Sequence, residues 1–494
     1  MLKNVAIASK PAKEEISERL DEEQAKLAAN QMRIRSAQVP VVVIFEGWGA
    51  AGKGSVLGKV IKDMDPRFFS VATLDAKPTE EERMRPFLWR YMVEMPAQGQ
   101  FKFFDTCWME EVTDGLARDE LDGAAYDRRI DSINMCERQL VDNGYLVMKF
   151  FFHLSQEEQR RRLDALNAHK NTRWRVNEDD YRENEQYDRF LHIYDRYLRD
   201  TNRSSAPWYI IDAEDGRKWA TLQVLEFLNN GIEVAIHNRG ASAPLRQNVF
   251  PLKHVKPLSA IPLDKTMEFE EYRNQLKELR GRLRMLHYEA YRKRIPVVIA
   301  YEGWDAAGKG GNIKRITSAL DPRGYRVYPI ASPEPHEKAR HYLWRFWERL
   351  PKDGHIAIFD RTWYGRVMVE RIEGFCSNND WRRAYNEINE FEHELVEAGT
   401  VVIKFWVQID SETQLERFTD RQNTPEKQWK ITDEDWRNRE KWDQYEQAVN
   451  EMLARTSTTF APWHVLESND KRYARVKAMR IVVNAIEKAC RRKS

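Results

Sequence analysis

A glycine-rich segment with one lysine lies between an apolar run and a polar stretch in the second half of the sequence. It reads EGWDAAGKGG over residues 302–311. The spacing G-x-x-x-x-G-K between a strand and a helix is typical of a P-loop, in which backbone amides, the helix N-terminus and the lysine bind phosphate oxygens. The segment therefore predicts phosphate chemistry. Its predicted catalytic and substrate-binding members are Gly303, Gly308, Lys309, Gly310 and Gly311.

Two aspartates are candidate metal ligands near this loop. Position 310 is glycine, so the serine or threonine hydroxyl that usually binds Mg²⁺ after the lysine is absent. Another hard oxygen ligand must take that role. Asp305 lies inside the loop, and Asp360 ends an apolar run at the sheet edge where α/β sites form. Both are predicted to be catalytic and to bind Mg²⁺, with Mn²⁺ as an alternative.

Three arginines, Arg361, Arg366 and Arg371, follow Asp360 within eleven residues. They form either a solvated helix face or a planar array of donors for phosphate oxygens, and the position after a strand-end aspartate favours the second interpretation. Farther along, arginines and lysines, among them Arg421 and Lys430, surround three tryptophans in a helix-rich stretch. This stretch is either an ordinary surface helix or a lid that closes over the phosphates and excludes water.

A repeat that covers almost the whole chain supplies the elements that position these residues. Gly47-Trp48 recurs as Gly303-Trp304 after 256 residues, and Ala206-Pro207-Trp208 recurs as Ala461-Pro462-Trp463 after 255 residues. So long a period indicates two copies of an entire domain. A proline-bearing stretch separates the copies. The predicted organisation is a first domain over 1–238, a linker over 239–262 and a second domain over 263–494.

Each copy alternates continuous apolar runs with long charged stretches. Continuous rather than alternating apolar runs indicate strands buried on both faces, so we expect a five-stranded parallel sheet between helices in each half, an α/β fold of two tandem P-loop kinase-like domains, each with a helical lid. The predicted strands are 41–45, 71–74, 101–104, 146–152 and 208–211 in the first copy, and 297–301, 325–330, 355–359, 401–407 and 463–466 in the second.

Composition limits the function classes. The 494 residues carry 80 Lys and Arg against 78 Asp and Glu, a net charge of +2, which is not the strongly basic balance of a dedicated nucleic-acid binder. Four widely spaced cysteines, with no C-x-x-C pair, argue against a disulfide scaffold and fit a reducing compartment. No apolar run approaches the roughly 18 residues of a membrane span. We expect a soluble cytoplasmic protein without nucleic-acid or membrane partners, with self-association left open.

The chain resembles the type-2 polyphosphate kinase family in motifs that span nearly all of the second copy and, more weakly, the first. Those motifs are EGWDAAGKGG (302–311), LDPRGY (320–325), YLWRFW (342–347), IFDRTWYGRVMVER (358–371), WKITDEDW (429–436) and FAPWHVLESNDKRYAR (460–475). The aspartate in the loop together with D-R-x-W-Y is specific to that family. Two-domain members of the family transfer a phosphate from inorganic polyphosphate to AMP, giving ADP, and the resemblance implies the same substrates here.

The resemblance also suggests roles for individual residues. Lys309 and the backbone of 308–311 are assigned to phosphate oxygens, and Arg361 and Arg366 to transition-state charge. Asp305 would also orient or deprotonate the acceptor phosphate, which needs no strong base because its second pKa is near 6. The remaining substrate-binding candidates are Tyr364, Glu370, Arg371, Arg421 and Lys430.

The first copy departs from the family pattern at several of these positions. Lys53 and Asp105 remain. The replacements remove a loop carboxylate and put a glutamate where an arginine would bind phosphate, so the first domain is expected to be structural or regulatory. In order, Asp305, Arg361, Tyr364, Arg366 and Glu370 correspond to Gly49, Thr106, Met109, Glu111 and Gly115.

Other functions stay open on the sequence. The same scaffold could phosphorylate nucleoside diphosphates from polyphosphate, or it could be an ATP-dependent nucleotide kinase. A binding module with two vestigial P-loops is the non-enzymatic alternative. Trp304 and Trp363 could each stack on an adenine or pack in the core.

Overall fold

The computed structural model of the chain divides into two compact units, each of which includes a short piece from the other half of the sequence. One consists of residues 1–82, 87–243 and 335–344, and the other of residues 83–86, 244–334 and 345–494. The structure describes residue 2 and residues 10–72, 74–75 and 77–493, and for Lys427 and Lys430 it describes the backbone alone. Within these ranges, no helix is both long and apolar enough to span a lipid bilayer.

Each unit contains one sheet of five parallel strands. The sheet orders are β2-β3-β1-β4-β5 in the first unit and β7-β8-β6-β9-β10 in the second, so both units have the same topology. This confirms the predicted α/β architecture of two tandem domains. The strands are β1 (Val41–Gly47), β2 (Phe69–Ala72), β3 (Phe101–Phe104), β4 (Leu146–His153), β5 (Trp208–Asp212), β6 (Val297–Gly303), β7 (Tyr325–Pro329), β8 (Ile356–Asp360), β9 (Val401–Gln408) and β10 (Trp463–Glu467).

Helices cover both faces of each sheet, which explains why the central strands are buried along nearly their whole length. In β6, for example, the six residues from Val297 to Glu302 are all buried. The helices of the first unit are α1 (Lys13–Ala37), α2 (Lys53–Val60), α3 (Glu80–Arg83), α4 (Trp89–Met92), α5 (Trp108–Ala117), α6 (Gly123–Asp142), α7 (Gln156–Ala168), α8 (Glu178–Glu185), α9 (Tyr187–Thr201) and α10 (Arg217–His237).

The helices in the second half of the chain repeat this order. They are α11 (Phe269–Arg292), α12 (Lys309–Thr317), α13 (Pro335–Lys338), α14 (Trp344–Trp347), α15 (Val369–Ile372), α16 (Asn378–Glu397), α17 (Ser411–Asn423), α18 (Asp433–Glu440), α19 (Trp442–Thr456) and α20 (Lys471–Arg492).

The proline-bearing stretch after α10 has little regular structure but contacts the second unit along its length. The backbone amide of Lys253 donates to the carbonyl of Ser457 over 2.6 Å, and the amide of Thr459 donates to the carbonyl of Pro251 over 3.0 Å. Residues 244–262 therefore form part of the second unit, as a strap along its surface.

Candidate active site

The predicted P-loop lies between β6 and α12, a buried strand and a helix that begins at Lys309. Gly303 has a φ of 153°, and a Cβ there would lie 2.6 Å from the carbonyl oxygen of Val407, so only glycine fits between the two strands. Gly308 caps α12 in a left-handed conformation, and the helix begins at Lys309. Lys309 Nζ donates to the carbonyls of Gly303 and Trp304 over 2.7 and 3.2 Å. The lysine is thus curled over the loop, where a phosphate would be held.

The other two glycines of the motif lie in the first turn of α12. A Cβ on Gly310 would meet no atom within 4 Å, so the backbone here is open to a ligand. A Cβ on Gly311 would lie 3.1 Å from Nη2 of Arg475. The start of the helix is therefore next to a guanidinium from α20, a cation that reasoning from the sequence did not single out.

Asp305 is held between a cation and an amide. Its Oδ1 accepts a hydrogen bond from Arg361 Nη2 over 3.3 Å, and its Oδ2 accepts one from Asn438 Nδ2 over 3.0 Å. Burial favours the neutral carboxyl, but the positive charges of Lys309 and Arg361 and the Asn438 hydrogen bond outweigh it and hold the pKa of Asp305 below its ordinary value. Asp305 is therefore an ionised carboxylate of fixed orientation.

Arg361 has a strained backbone that points its side chain at this site. It has a φ of 66°, and its amide donates to the carbonyl of Tyr301 over 3.0 Å. Left-handed conformations of residues other than glycine cost energy and are often found at functional sites. The corresponding Thr106 of the first unit does not have a positive φ, whereas the loop residues Ala50 and Ala306 share theirs. The strain is therefore specific to the second unit.

Asp360 ends β8 in register with Tyr301 of β6 and Pro329 of β7. No described residue forms a hydrogen bond or ion pair with its carboxylate, which leaves its oxygens available for a metal. The described residues contain no group of three or more His, Cys, Asp or Glu side chains placed to hold a metal ion. A pair of carboxylates suits Mg²⁺, which keeps several waters and completes its shell with substrate phosphates.

The two other arginines after β8 differ in how they are held. Arg366 Nε lies 3.2 Å from Glu370 Oε2, and both side chains are largely buried. Arg371 donates to Tyr385 and Glu451 over 3.0 and 2.7 Å. Arg371 is therefore tied to α16 and α19, in a position that supports the fold beside the site.

Tyr364 lies in the core. Its hydroxyl donates to Glu392 over 2.7 Å and accepts from Lys404 over 2.8 Å, and Lys404 forms an ion pair with Glu392 over 2.7 Å. Lys149 and Glu137 form the matching buried pair in the first unit at 2.6 Å. The ion pair is thus common to both units, and the tyrosine is added to it only in the second.

The predicted lid comprises α17, the 3-10 helix Pro425–Lys430 and α18. Arg421 lies in the last turn of α17, one turn after Arg417. Burial and the charges of Arg421 and Arg475 lower the pKa of Arg417 to about 10. The Lys430 side chain lies outside the described residues. The lid also carries Asn438.

Arg417 and Glu302 are two further residues that the sequence analysis did not assign to the site. Arg417 donates to the carbonyls of Ala306 and Ala307, both over 3.0 Å, and so fixes the outer part of the loop. Glu302 is buried beneath the loop and accepts from Thr362 Oγ1 over 2.7 Å. The repeat contained a signal for Arg417, because Arg162 occupies the equivalent position in the first copy. Arg162 also makes the equivalent contact, since it donates to the carbonyl of Ala51.

Both tryptophans considered for adenine stacking are packing residues. Trp304 stacks face to face on Trp442 with ring centroids 3.7 Å apart. Trp363 is buried and packs edge to face against Phe346 and Phe359.

The matching loop of the first unit also has a curled lysine. Lys53 Nζ donates to the carbonyl of Gly47 over 2.6 Å. A cavity of about 320 Å³ adjoins this loop. The carboxyl groups on its wall outnumber the cations six to three. They are Glu46, Glu110, Asp114, Asp179, Asp180 and Glu183, against Lys53, Lys77 and Arg118.

Comparison with known proteins shows that both halves of the chain match one protein family. The family model described as Polyphosphate kinase 2 matches residues 10–240 and 266–494. A polyphosphate:AMP phosphotransferase of Pseudomonas aeruginosa is 42% identical over 461 residues, covering 92% of each chain. Another from Acinetobacter johnsonii is 37% identical over 473 residues, covering 95% of each chain.

A solved structure also matches the fold of the whole chain. A crystal structure from Pseudomonas aeruginosa PA01, described there as a polyphosphate kinase 2, superposes with a TM-score of 0.87 at 39% identity and covers 100% of both chains. An NDP-polyphosphate phosphotransferase of Ruegeria pomeroyi is 38% identical over 226 residues, which is 46% of this chain and 75% of that protein.

Proposed function

This chain belongs to the polyphosphate kinase 2 family, and from that membership we propose that it transfers a phosphoryl group from inorganic polyphosphate to AMP, giving ADP. The relatives that match along the whole chain carry the name of this activity. The observation that carries the proposal is Asp305, which is ionised and held by Arg361 beside Lys309. We assign catalysis to the second unit, which alone has this arrangement.

In the proposed reaction, an oxygen of the AMP phosphate forms a bond to the terminal phosphorus of polyphosphate. The bond from that phosphorus to its bridging oxygen breaks, and the shortened polyphosphate leaves with the electron pair. The transition state spreads negative charge over the transferred group, so positioning and charge neutralisation supply most of the catalysis. Lys309 and the amides at the start of α12 hold phosphate oxygens, and Arg361 and Arg366 neutralise the charge.

The carboxylates have a different task. We assign Asp305 and Asp360 as the residues that would hold Mg²⁺, which would neutralise part of the negative charge of the phosphates. Asp305 also orients the acceptor. At neutral pH the AMP phosphate is already largely ionised, so Asp305 need not remove a proton from it. Closure of the lid over the loop excludes water, which would otherwise hydrolyse polyphosphate.

We place the reaction in the cytoplasm. All four cysteines lie among the described residues and none forms a disulfide, as expected of a protein in a reducing compartment.

Phosphorylation of nucleoside diphosphates is the second candidate. It is favoured by the similarity of one half of the chain to the Ruegeria pomeroyi protein. The full-length matches favour AMP, because their similarity covers both units.

The test supplies purified protein with Mg²⁺, AMP or ADP as acceptor, and polyphosphate or ATP as donor. We expect ADP from AMP and polyphosphate. Formation of ADP with ATP as the only effective donor would contradict the proposal, and ATP formed from ADP with no product from AMP would favour the second candidate.

A further inference from the structure

Glu183, on helix α8 of the first unit, contacts the phosphate loop directly. Its Oε2 accepts a hydrogen bond from the backbone amide of Gly49 over 2.8 Å. The same oxygen accepts from Gln159 over 2.6 Å, and Oε1 accepts from the hydroxyl of Tyr194. The side chain is buried. Glu183 thus satisfies one of the loop amides and pins α8 to the loop.

The second unit makes the equivalent contact, but the donor and the acceptor are exchanged between the lid and the loop. Asn438 is the counterpart of Glu183 in the repeat, and Asp305 is the counterpart of Gly49. In the second unit the lid gives the donor, Asn438 Nδ2, and the loop gives the carboxylate of Asp305. In the first unit the loop gives the donor and the lid gives the carboxylate. The carboxylate has therefore moved from the loop to the lid.

A carboxylate cannot be accommodated on both sides of this contact. A Cβ on Gly49 would lie 2.6 Å from Asp180 Oδ1 and 2.9 Å from Glu183 Oε2. An aspartate at position 49 would therefore meet two acidic groups at close range. The glycine in the first loop and the glutamate on α8 depend on each other, as the aspartate and asparagine of the second unit do.

We propose that the carboxyl group of Glu183, by occupying the amide of Gly49, keeps polyphosphate off the first loop, and that the residue at this lid position, Glu183 or Asn438, determines which of the two loops binds substrate. The proposal rests on the proposed function, since it assumes that the second loop binds polyphosphate. The proposal explains why the first unit would be catalytically inactive although it retains Lys53 and Asp105.

The electrostatics of the first cavity act in the same direction. The single arginine on its wall, Arg118, donates to Asp179 over 2.6 Å and to Asp114 over 3.1 Å. It is therefore already neutralised. The lining residues otherwise include only two cations, Lys53 and Lys77, among carboxyl groups, so the cavity offers a polyanion little net positive charge.

The experiment measures anion binding at each loop separately in the full-length protein. Lysines are labelled with an amine-reactive reagent with and without tripolyphosphate, and mass spectrometry quantifies the label on Lys53 and on Lys309. In the wild type we expect tripolyphosphate to slow labelling of Lys309 by about fivefold or more and to leave Lys53 unchanged. In Glu183→Asn we expect Lys53 to become protected as well.

Two further variants complete the design. Glu185→Asn changes an exposed glutamate of the same helix and should leave Lys53 unprotected. Asn438→Glu imposes the first unit's lid residue on the second and should abolish protection of Lys309, which tests the proposal even if Glu183→Asn folds poorly.

Protection of Lys53 in the wild type would overturn the proposal without any variant. So would a folded Asn438→Glu variant that keeps full protection of Lys309. If Lys309 were not protected in the wild type, the proposed function would fail instead, and the labelling of Lys53 in Glu183→Asn would still test the first loop.

Discussion

Asn438 donates a hydrogen bond to Asp305 over 3.0 Å, although the two residues lie 133 positions apart. This bond joins the lid to the phosphate loop, and Arg361 contacts the other oxygen of the same carboxylate. The lid and the end of β8 therefore fix the orientation of Asp305 together.

Removal of Arg361 should shift the pH dependence of the reaction. The positive charge of Arg361 helps to hold the pKa of Asp305 low, so Arg361→Ala should raise that pKa while burial still disfavours the ionised form. We expect kcat/KM to fall by about 100-fold at neutral pH. The acid limb of the profile should also move to higher pH, because Asp305 must be ionised to act.

Arg323→Ala is the matched control for this variant, because Arg323 is exposed and pairs with Asp321 away from the site. It should leave the profile unchanged. A fall in rate for Arg361→Ala with no movement of the acid limb would show that Arg361 does not set the charge state of Asp305.

Replacement of Asp360 should weaken the binding of Mg²⁺. Asp360→Asn keeps the shape of the side chain but removes a negatively charged ligand. The Mg²⁺ concentration that gives half the maximal rate should rise by about tenfold or more. Asp321→Asn, at an exposed aspartate, serves as the control. An unchanged Mg²⁺ dependence in Asp360→Asn would mean that Asp360 does not hold the metal.

Tyr364 should act on stability rather than on substrate affinity. Tyr364→Phe removes a hydroxyl that bridges Lys404 and Glu392 in the core. Leaving such buried groups short of a partner costs about 1–3 kcal/mol. We expect the free energy of unfolding in urea to fall by that amount while the KM for polyphosphate stays within about twofold. A large rise in KM at unchanged stability would instead place the hydroxyl in contact with substrate.

The stability of the first unit should decrease as the pH rises. Burial raises the pKa of Glu46 to about 8 from an ordinary value of 4.5, so between these values the folded protein holds a proton that the unfolded chain releases. The free energy of unfolding therefore falls with rising pH across this window. Hydrogen exchange of the β1 amides at pH 5 and pH 8 measures the fall.

Glu46→Gln should make that decline shallower, because glutamine has no proton to lose and its Oε1 can still accept from the amide of Cys107, as Glu46 does over 2.8 Å. Glu185→Gln, at an exposed position, should behave as the wild type. An equal decline in Glu46→Gln and wild type would show that Glu46 is ionised in the folded protein.

The fold could be predicted from the sequence because its signals are local. Continuous apolar runs such as 401–407 correspond to strands buried on both faces, here Val401–Gln408. The strand before Asp360 and the existence of a helix after the glycine-rich loop could be predicted in the same way, because an apolar run and the glycine spacing indicate them.

The contacts of the site could not be predicted in the same way. Asn438 and Glu183 lie in charged helices whose composition is that of an ordinary surface, and only the folded chain brings them to the loops. The sequence showed that the first loop had lost an aspartate at Gly49. It did not show that Glu183 supplies a carboxylate to the same place, because side chains from distant elements fill a site according to shape and charge.

The most direct test compares Lys309→Ala with Lys53→Ala in the full-length protein, with ADP formation from AMP and polyphosphate as the readout. The two lysines occupy equivalent places and make the same hydrogen bonds to their loops. Our account predicts near-complete loss of activity for Lys309→Ala and at most a severalfold change for Lys53→Ala. Equal loss in both variants, or retention of activity in Lys309→Ala, would contradict the assignment of catalysis to the second unit.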